Sequence, residues 1–198
     1  MTEATNYFES HITLVPVNGI EGFQKDCKEL GVKGIIIQLP EGLPDEVMTS
    51  YKIKSNDIEF DKIVKKQVEY FKNKGYKIIR VKYEADMDYP KIDPSNPKNY
   101  FESHIQVILK KDQLNALHEL AKSLGLHMSS NAFKTKGEDQ IRMVTHREYG
   151  CTKDDFVNKI KQLRETISKQ FKLDKDIECE YCYYDSRIEQ DEAWLKVE

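Results

Sequence analysis

A seven-residue sequence that occurs twice constrains this chain more than any other feature. Asn-Tyr-Phe-Glu-Ser-His-Ile occupies residues 6–12 and again residues 99–105 of a chain of 198 residues. An identical stretch of this length does not arise by chance, so the sequence indicates an internal duplication. Each copy then comprises about half of the chain, which is enough for a modest hydrophobic core.

The hydrophobic pattern predicts the same order of elements in both halves: strand, helix, strand, strand, helix, strand. The first half has predicted strands at residues 7–15, 34–39, 47–54 and 77–85, with helices at residues 20–30 and after Asn56. The second half has predicted strands at residues 100–109, 127–134, 141–149 and 177–184, with helices after Asp112 and Thr152. Asp112 is a predicted N-cap, and Asn56 and Thr152 are each followed by a second N-terminal signal, Glu59 and Asp155.

This order of elements is typical of the ferredoxin-like unit, in which an antiparallel sheet carries helices on one face and leaves the other open. We therefore predict an α+β fold built by tandem duplication of a β-α-β-β-α-β unit, with two antiparallel sheets. The first repeat covers residues 1–88, and the second covers residues 99–198 with a C-terminal tail. Residues 89–98, which contain Pro90, Pro94 and Pro97, form the linker.

Charge and composition exclude several classes of protein. The formal net charge is −3 and the acidic and basic residues are mixed, which argues against an extended nucleic-acid-binding surface. No apolar run approaches the roughly 18 residues of a membrane span, so no membrane contact is expected. The polar start of the chain is not a signal peptide, and four cysteines in an intracellular chain would remain reduced, so we expect a cytoplasmic protein.

Strand alternation places the repeated glutamate and histidine on the open face of each sheet. The helix-facing side of the two first strands is predicted to bury Phe8, Ile12, Phe101 and Ile105. The opposite side of these strands carries Glu9, His11 and Thr13 in one half and Glu102, His104 and Gln106 in the other.

The third strand of each half adds a hydroxyl and a base to this patch. Alignment of the halves matches Met48, Ser50 and Lys52 with Met143, Thr145 and Arg147. The orientation of the second set stays open, because Val144 could take the core position instead. A histidine beside a hydroxyl and a cation suits a phosphate ester, since histidine moves protons near neutral pH and the other groups hold phosphate oxygens.

Two other interpretations of these residues remain open. The retained polar side chains could form a hydrogen-bonded interface between the halves, in which case the glutamate–histidine pairs are structural. Alternatively, Glu9, His11, Glu102 and His104 could share one metal ion if the two first strands came close enough together.

The segment His11-Ile12-Thr13-Leu14 resembles the H-x-T-x motif of the two-histidine phosphoesterase superfamily, which includes RNA 2′,3′-cyclic phosphodiesterases. Those proteins are bilobal, and each lobe supplies one motif to a central cleft. The second copy, His104-Ile105-Gln106-Val107, has glutamine where the motif has threonine or serine. The second half also resembles bacterial and viral proteins without an assigned activity.

The resemblance implies a phosphoesterase that acts on a nucleotide or RNA-end cyclic phosphate in a cleft between the repeats. His11 would be the general base and His104 the general acid, without a metal or cofactor. The implied substrate-binding residues are Thr13, Gln106, Glu9, Glu102, Lys52, Thr145 and Arg147. The alternative is a non-catalytic ligand-binding or protein-interaction module, which Gln106 and the near-neutral net charge favour.

Overall fold

The computed structural model describes residues 5–38, 46–131, 135–136, 139–174 and 177–186. The fold is α+β, and the described strands all pair antiparallel. Its elements are β1 (Asn6–Val15), α1 (Gly19–Leu30), β2 (Lys33–Gln38), β3 (Glu46–Ser55), α2 (Asp57–Asn73), β4 (Lys77–Ala85), β5 (Tyr100–Leu109), α3 (Leu114–Ser123), β6 (His127–Asn131), β7 (Thr135–Lys136), β8 (Asp139–Tyr149), α4 (Lys153–Ser168), β9 (Lys172–Leu173) and β10 (Glu178–Asp185). The end of the predicted strand at 127–134, and the tail from residue 187, lie outside the described residues.

The strands form one closed sheet, where the sequence predicted two separate ones. The main strands of the first half run in the order β2-β3-β1-β4, and those of the second half run β6-β8-β5-β10. The two sets join through the pairs β2–β6 and β4–β10, and the β5–β8 pair completes a ring. Closure into a barrel satisfies backbone groups that two open sheets would leave unpaired at their edges. The faces predicted to be open therefore enclose the interior of this barrel.

The core lies between the outer face of the barrel and the helices, as the alternation predicted. Phe8 and Ile12 are fully buried and Phe101 and Ile105 are each 2% exposed, which confirms the predicted core positions. The ring of Phe8 stacks on Phe60 of α2 at 4.9 Å, and the ring of Phe101 stacks on Phe156 of α4 at 5.2 Å. Equivalent aromatic pairs therefore fix β1 and β5 against the second helix of each half.

The predicted N-terminal signals of α2 and α4 are confirmed, whereas that of α3 is wrong. Asn56 accepts a hydrogen bond from the Glu59 amide at 3.0 Å, and Thr152 accepts one from the Asp155 amide at 3.2 Å. Asp112 does not cap α3, because it lies within a 3₁₀ turn at Lys111–Gln113 that precedes the helix. The amide of Gln113 donates to the carbonyl of Lys110 at 3.0 Å, which is the tighter i→i+3 bond of such a turn.

The structure settles the orientation of β8. Val144 is 1% exposed and belongs to the core, so its neighbours Met143 and Thr145 face the barrel interior. In both halves, the third strand therefore directs its aligned side chains toward the barrel interior.

Candidate functional site

The barrel interior contains a cavity of about 400 Å³, a volume typical of small-molecule sites. Every candidate site residue from the sequence lines it, from both halves of the chain: Glu9, His11, Thr13, Lys52, Glu102, His104, Gln106, Thr145 and Arg147. The cavity is therefore the place where any shared chemistry of the repeated strands would occur.

The two halves place matching pairs of side chains on neighbouring strands. On β1 and β3, Glu9 lies opposite Lys52, and His11 lies opposite Ser50. On β5 and β8, Glu102 lies opposite Arg147 and His104 lies opposite Thr145. Directly opposed side chains on one face of a sheet interact, so each half presents its own glutamate–cation and histidine–hydroxyl pair.

Both ring nitrogens of His11 contact acceptors. Nδ1 lies 3.2 Å from the carbonyl oxygen of Thr49, and Nε2 lies 2.9 Å from Oε2 of Glu84. A carbonyl and a carboxylate can only accept, so both contacts are satisfied when the ring carries two protons and a positive charge. Burial would lower the pKa of His11, but the neighbouring Glu84 carboxylate raises it above the ordinary value.

The ring of His104 is held in a similar way. Its Nε2 lies 3.2 Å from Oε1 of Glu102, and its Nδ1 lies 3.0 Å from the hydroxyl oxygen of Thr145. Burial would lower the pKa of His104, but the Glu102 carboxylate raises it. Each histidine is therefore oriented by one carboxylate and one further oxygen.

A buried lysine joins the two histidine sites. Lys82 Nζ lies 2.6 Å from Oε1 of Glu84 and 2.7 Å from Oε1 of Glu102. The contacts run continuously through His11, Glu84, Lys82, Glu102 and His104, a set of side chains that we call the central ion chain. Charges this deeply buried are tolerated only when each has a partner of opposite sign.

The carboxylates of the central ion chain are strongly ionised. Burial would raise the pKa of Glu84, but Lys82 and His11 lower it to about 2. Burial would likewise raise the pKa of Glu102, but Arg147 and Lys82 hold it well below its usual range. Arg147 supports this arrangement by donating from Nε to Oε2 of Glu102 at 2.8 Å.

Sequence reasoning missed the contribution of β4. Arg80, Lys82 and Glu84 alternate along this strand with Val81 and Tyr83, which is the period of a strand with one charged face. The two missed members of the central ion chain, Lys82 and Glu84, come from this face. The alternation was visible in the sequence, but the charged face could equally have been exposed to solvent.

The acidic side chains that come together are not the set proposed from sequence for a metal. Ligand atoms of Glu84, Glu102 and His104 all lie within 4.8 Å of one another. The Lys82 ammonium contacts both of these carboxylates and takes the position of a central cation. A divalent metal would have to displace Lys82 to use these ligands.

A second charged cluster lies beside the central ion chain. Ser50 donates to Oε1 of Glu9 at 2.7 Å, and Lys52 Nζ lies 3.4 Å from Glu9 and 3.2 Å from Glu180. Burial, together with the Glu84 and Glu9 carboxylates, raises the pKa of Glu180 to about 7. Glu180 therefore ionises less readily than an ordinary glutamate.

The remaining lining of the cavity includes apolar side chains, which share their strands with charged lining residues such as Lys33 of β2 and Glu46 of β3. We call these residues the apolar wall: Ile35 and Ile37 of β2, Met48 of β3 and Met143 of β8. Thr13 also lines the cavity and is 2% exposed, and its hydroxyl has no hydrogen-bond partner among the described residues. The cavity thus combines charged side chains, a set of apolar side chains and a buried hydroxyl.

No protein-family model matches the chain, and no curated protein is significantly similar to it. Similar solved structures include a mutant chlorite dismutase from Candidatus Nitrospira defluvii (10% identity, 92% of this chain and 93% of that chain, TM-score 0.30). They also include the small subunit of acetolactate synthase from Thermotoga maritima (13% identity, 87% and 92%, TM-score 0.30). A heme-binding protein from Thermus thermophilus has 10% identity over 90% of each chain and a TM-score of 0.28. Similarities this low carry no argument about the function of this chain.

Among the described residues, none of the helices combines the length and the apolar composition that crossing a membrane requires.

Proposed function

We propose that this protein binds a small molecule in the barrel cavity without transforming it. The observation that supports this proposal is the engagement of both histidines. His11 contacts Thr49 and Glu84 through its two ring nitrogens, and His104 contacts Thr145 and Glu102. A general base needs an unprotonated nitrogen within hydrogen-bond reach of the substrate. His11 offers none, because both of its partners can only accept and its ring donates from both nitrogens.

The shape and lining of the cavity favour a ligand with both polar and apolar parts. Small-molecule sites are usually apolar enclosures with a few converging polar groups that fix orientation. The apolar wall supplies the first property, and Glu180, Lys52 and Thr13 are polar groups of the lining outside the central ion chain. The central ion chain then has a structural role in the cavity lining and is not a reacting centre.

A cavity-filling variant tests binding directly. Met143→Trp places a large side chain in the cavity without changing its charge. Thermal-shift screening of a panel of small amines, carboxylates, phosphates and neutral compounds should find stabilising ligands for the wild type and none for Met143→Trp. The ligand should be recovered unchanged after incubation. A panel without a single stabilising compound, or one compound that is converted, would contradict the proposal.

Hydrolysis of a phosphate ester is the second candidate function. The observation that favours it is that every residue implied by the phosphoesterase resemblance lines one cavity. A doubly protonated His104 would suit a general acid, and the Thr13 hydroxyl is available to a phosphate oxygen. Purified protein should then open a 2′,3′-cyclic nucleotide with a chelator present, and His11→Ala and His104→Ala should each lower turnover by about 10²- to 10⁴-fold.

We also propose that the two halves descend from one duplicated ferredoxin-like unit. The repeated heptapeptide, the same order of strands in each half and the equivalent pairs Phe8–Phe60 and Phe101–Phe156 support this origin.

The cysteines of the chain are free thiols, which suits a reducing compartment such as the cytoplasm.

A further inference from the structure

We infer that the cavity selects an amphipathic organic cation, an alkyl- or arylammonium whose head pairs with Glu180 and whose apolar part packs on the apolar wall. This inference rests on the proposed binding function and names the ligand class for that site. It is carried by the unequal pairing of the buried carboxylates, by the apolar side chains in the same cavity lining and by the unsatisfied Thr13 hydroxyl.

Glu180 has fewer cationic contacts than the two carboxylates of the central ion chain. Glu102 contacts Lys82, His104 and Arg147, and Glu84 contacts Lys82 and His11. Glu180, by contrast, ion-pairs within the described residues with Lys52 alone, at 3.2 Å. The side chain of Lys52 is 54% exposed and is shared with Glu9, so this pair is close to a weak surface ion pair.

The charges around Glu180 favour a further cation. Glu84 of β4 and Glu9 of β1 face it as like charges, while Lys52 of β3 and His104 of β5 face it as opposite charges. Burial and the two carboxylates together raise its pKa to about 7, so part of its population stays protonated at neutral pH. An ammonium group would replace that proton and would pair with the carboxylate in a partly desolvated site.

The apolar wall suits the other end of such a ligand. Ile35 and Met48 lie directly opposite each other on β2 and β3 and face the cavity together. Methionine side chains adapt to irregular apolar shapes, so Met48 and Met143 can accommodate either an alkyl chain or a ring.

The hydroxyl of Thr13 is the independent observation that points to a ligand. It is buried, it belongs to the cavity lining, and it has no partner among the described residues. Buried hydroxyls are normally hydrogen-bonded, so a polar group within the cavity is expected to complete this one. A ligand that spans from Glu180 to Thr13 would contact groups on both halves of the chain.

Isothermal titration calorimetry with three matched probes tests the inference: hexylammonium, 1-hexanol and hexanoate at pH 8. The wild type should bind hexylammonium at least about tenfold more tightly than either of the other two, a difference of about 1.4 kcal/mol. Glu180→Gln should lose about tenfold for hexylammonium only. The control Glu165→Gln, at an exposed position of α4 outside the barrel, should bind all three probes as the wild type does.

Two further measurements make the result specific to Glu180. Lys52→Met removes the competing ammonium and should tighten hexylammonium binding several-fold, opposite to the effect of Glu180→Gln. At pH 6, where Glu180 is mostly protonated, the binding heat should depend on the ionisation enthalpy of the buffer, because the ligand displaces the proton. Circular dichroism should show that each variant keeps the wild-type fold.

The outcomes separate this inference from the proposed function. Equal binding of the three probes, or wild-type affinity in a folded Glu180→Gln variant, would overturn the selection of cations and leave small-molecule binding in place. Failure of all three probes, together with an empty result in the wider panel, would overturn both.

Discussion

Lys82 of β4 and Glu102 of β5 form a buried ion pair of 2.7 Å, although β10 lies between their strands. The pair connects the first half of the chain to the second through the barrel interior. Because Lys82 also contacts Glu84 at 2.6 Å, one ammonium group neutralises carboxylates of both halves. Charge pairing inside the barrel therefore joins the two halves, in addition to the strand pairing at its seams.

Removal of the Lys82 charge should destabilise the fold strongly. Lys82→Met leaves Glu84 and Glu102 buried with fewer partners, and breaking a buried pair in this way typically costs about 3–5 kcal/mol. Urea denaturation should show this loss. The exposed control Lys161→Met on α4 should change the free energy of unfolding by less than about 0.5 kcal/mol. A similarly small effect at Lys82 would show that the central ion chain is not needed for folding.

The space left by Lys82 should become a metal site when the side chain is shortened. In Lys82→Ala the ligand atoms of Glu84, Glu102 and His104 stay close together, and carboxylates with an imidazole are suitable Zn²⁺ ligands. Zn²⁺ should raise the melting temperature of Lys82→Ala and leave the wild type unchanged. Adding His104→Gln should abolish the effect. A zinc response that persists in the double variant would place the metal elsewhere.

Stability should fall as the pH rises from about 5 to 9. The pKa values of His11 and His104 are raised from 6.5, so their contribution is complete below about 6.5 and is lost as the pH passes through the folded values. Glu180 is raised from 4.5 to about 7, so its ionisation progressively destabilises the fold between those values. Urea midpoints measured across this range should decline. In Glu180→Gln the decline between pH 5 and pH 7 should be smaller than in the wild type. A wild-type profile that rises toward pH 9 would contradict the assignment.

Acid should also destabilise the protein, because it protonates carboxylates whose pKa is lowered in the folded state. The pKa values of Glu9 and Glu84 are lowered from 4.5, so their contribution is present above about 4.5 and is lost as the pH falls through the folded values. We therefore expect the maximum of stability in the mildly acidic range, between the loss of these carboxylates and the deprotonation of the histidines. Midpoints at pH 3 that equal those at pH 5.5 would disagree with this account.

Side chains on the helix-facing side of β5 should contribute strongly to the free energy of unfolding. Phe101→Ala removes a ring that stacks on Phe156 and should cost about 3–5 kcal/mol, the usual effect of emptying an aromatic core site. Tyr7→Ala, at a position that is 52% exposed on β1, is the matched control and should cost far less. A loss below about 1 kcal/mol for Phe101→Ala would contradict the packing of this strand.

Local sequence patterns predicted most of the secondary structure because their causes are local. The strand at Lys77–Ala85 has the predicted bounds, and Asn56 and Thr152 cap their helices through side chains that reach only three residues along the chain. The 3₁₀ turn before α3 was missed because Asp112 is equally compatible with an N-cap and with such a turn. The choice depends on the Gln113–Lys110 bond rather than on residue type.

The candidate site was only half predictable. The repeated glutamate and histidine and the side chains opposite them were found, because alternation along a strand assigns them to one face. Lys82, Glu84 and Glu180 were not found, because a charged face on a strand is ordinarily a solvated one.

The sequence by itself determined the order of elements and which side of β1 and β5 is apolar, since these follow from residue types a few positions apart. Only the tertiary structure decided that the two sheets close into one barrel, because the pairing of β2 with β6 and β4 with β10 joins strands far apart in the chain. Closure turned two open polar faces into one enclosed interior, where the loss of water forces the charges to pair. That pairing engaged the histidines and left Glu180, within the described part of the chain, with a single weak ion-pair partner.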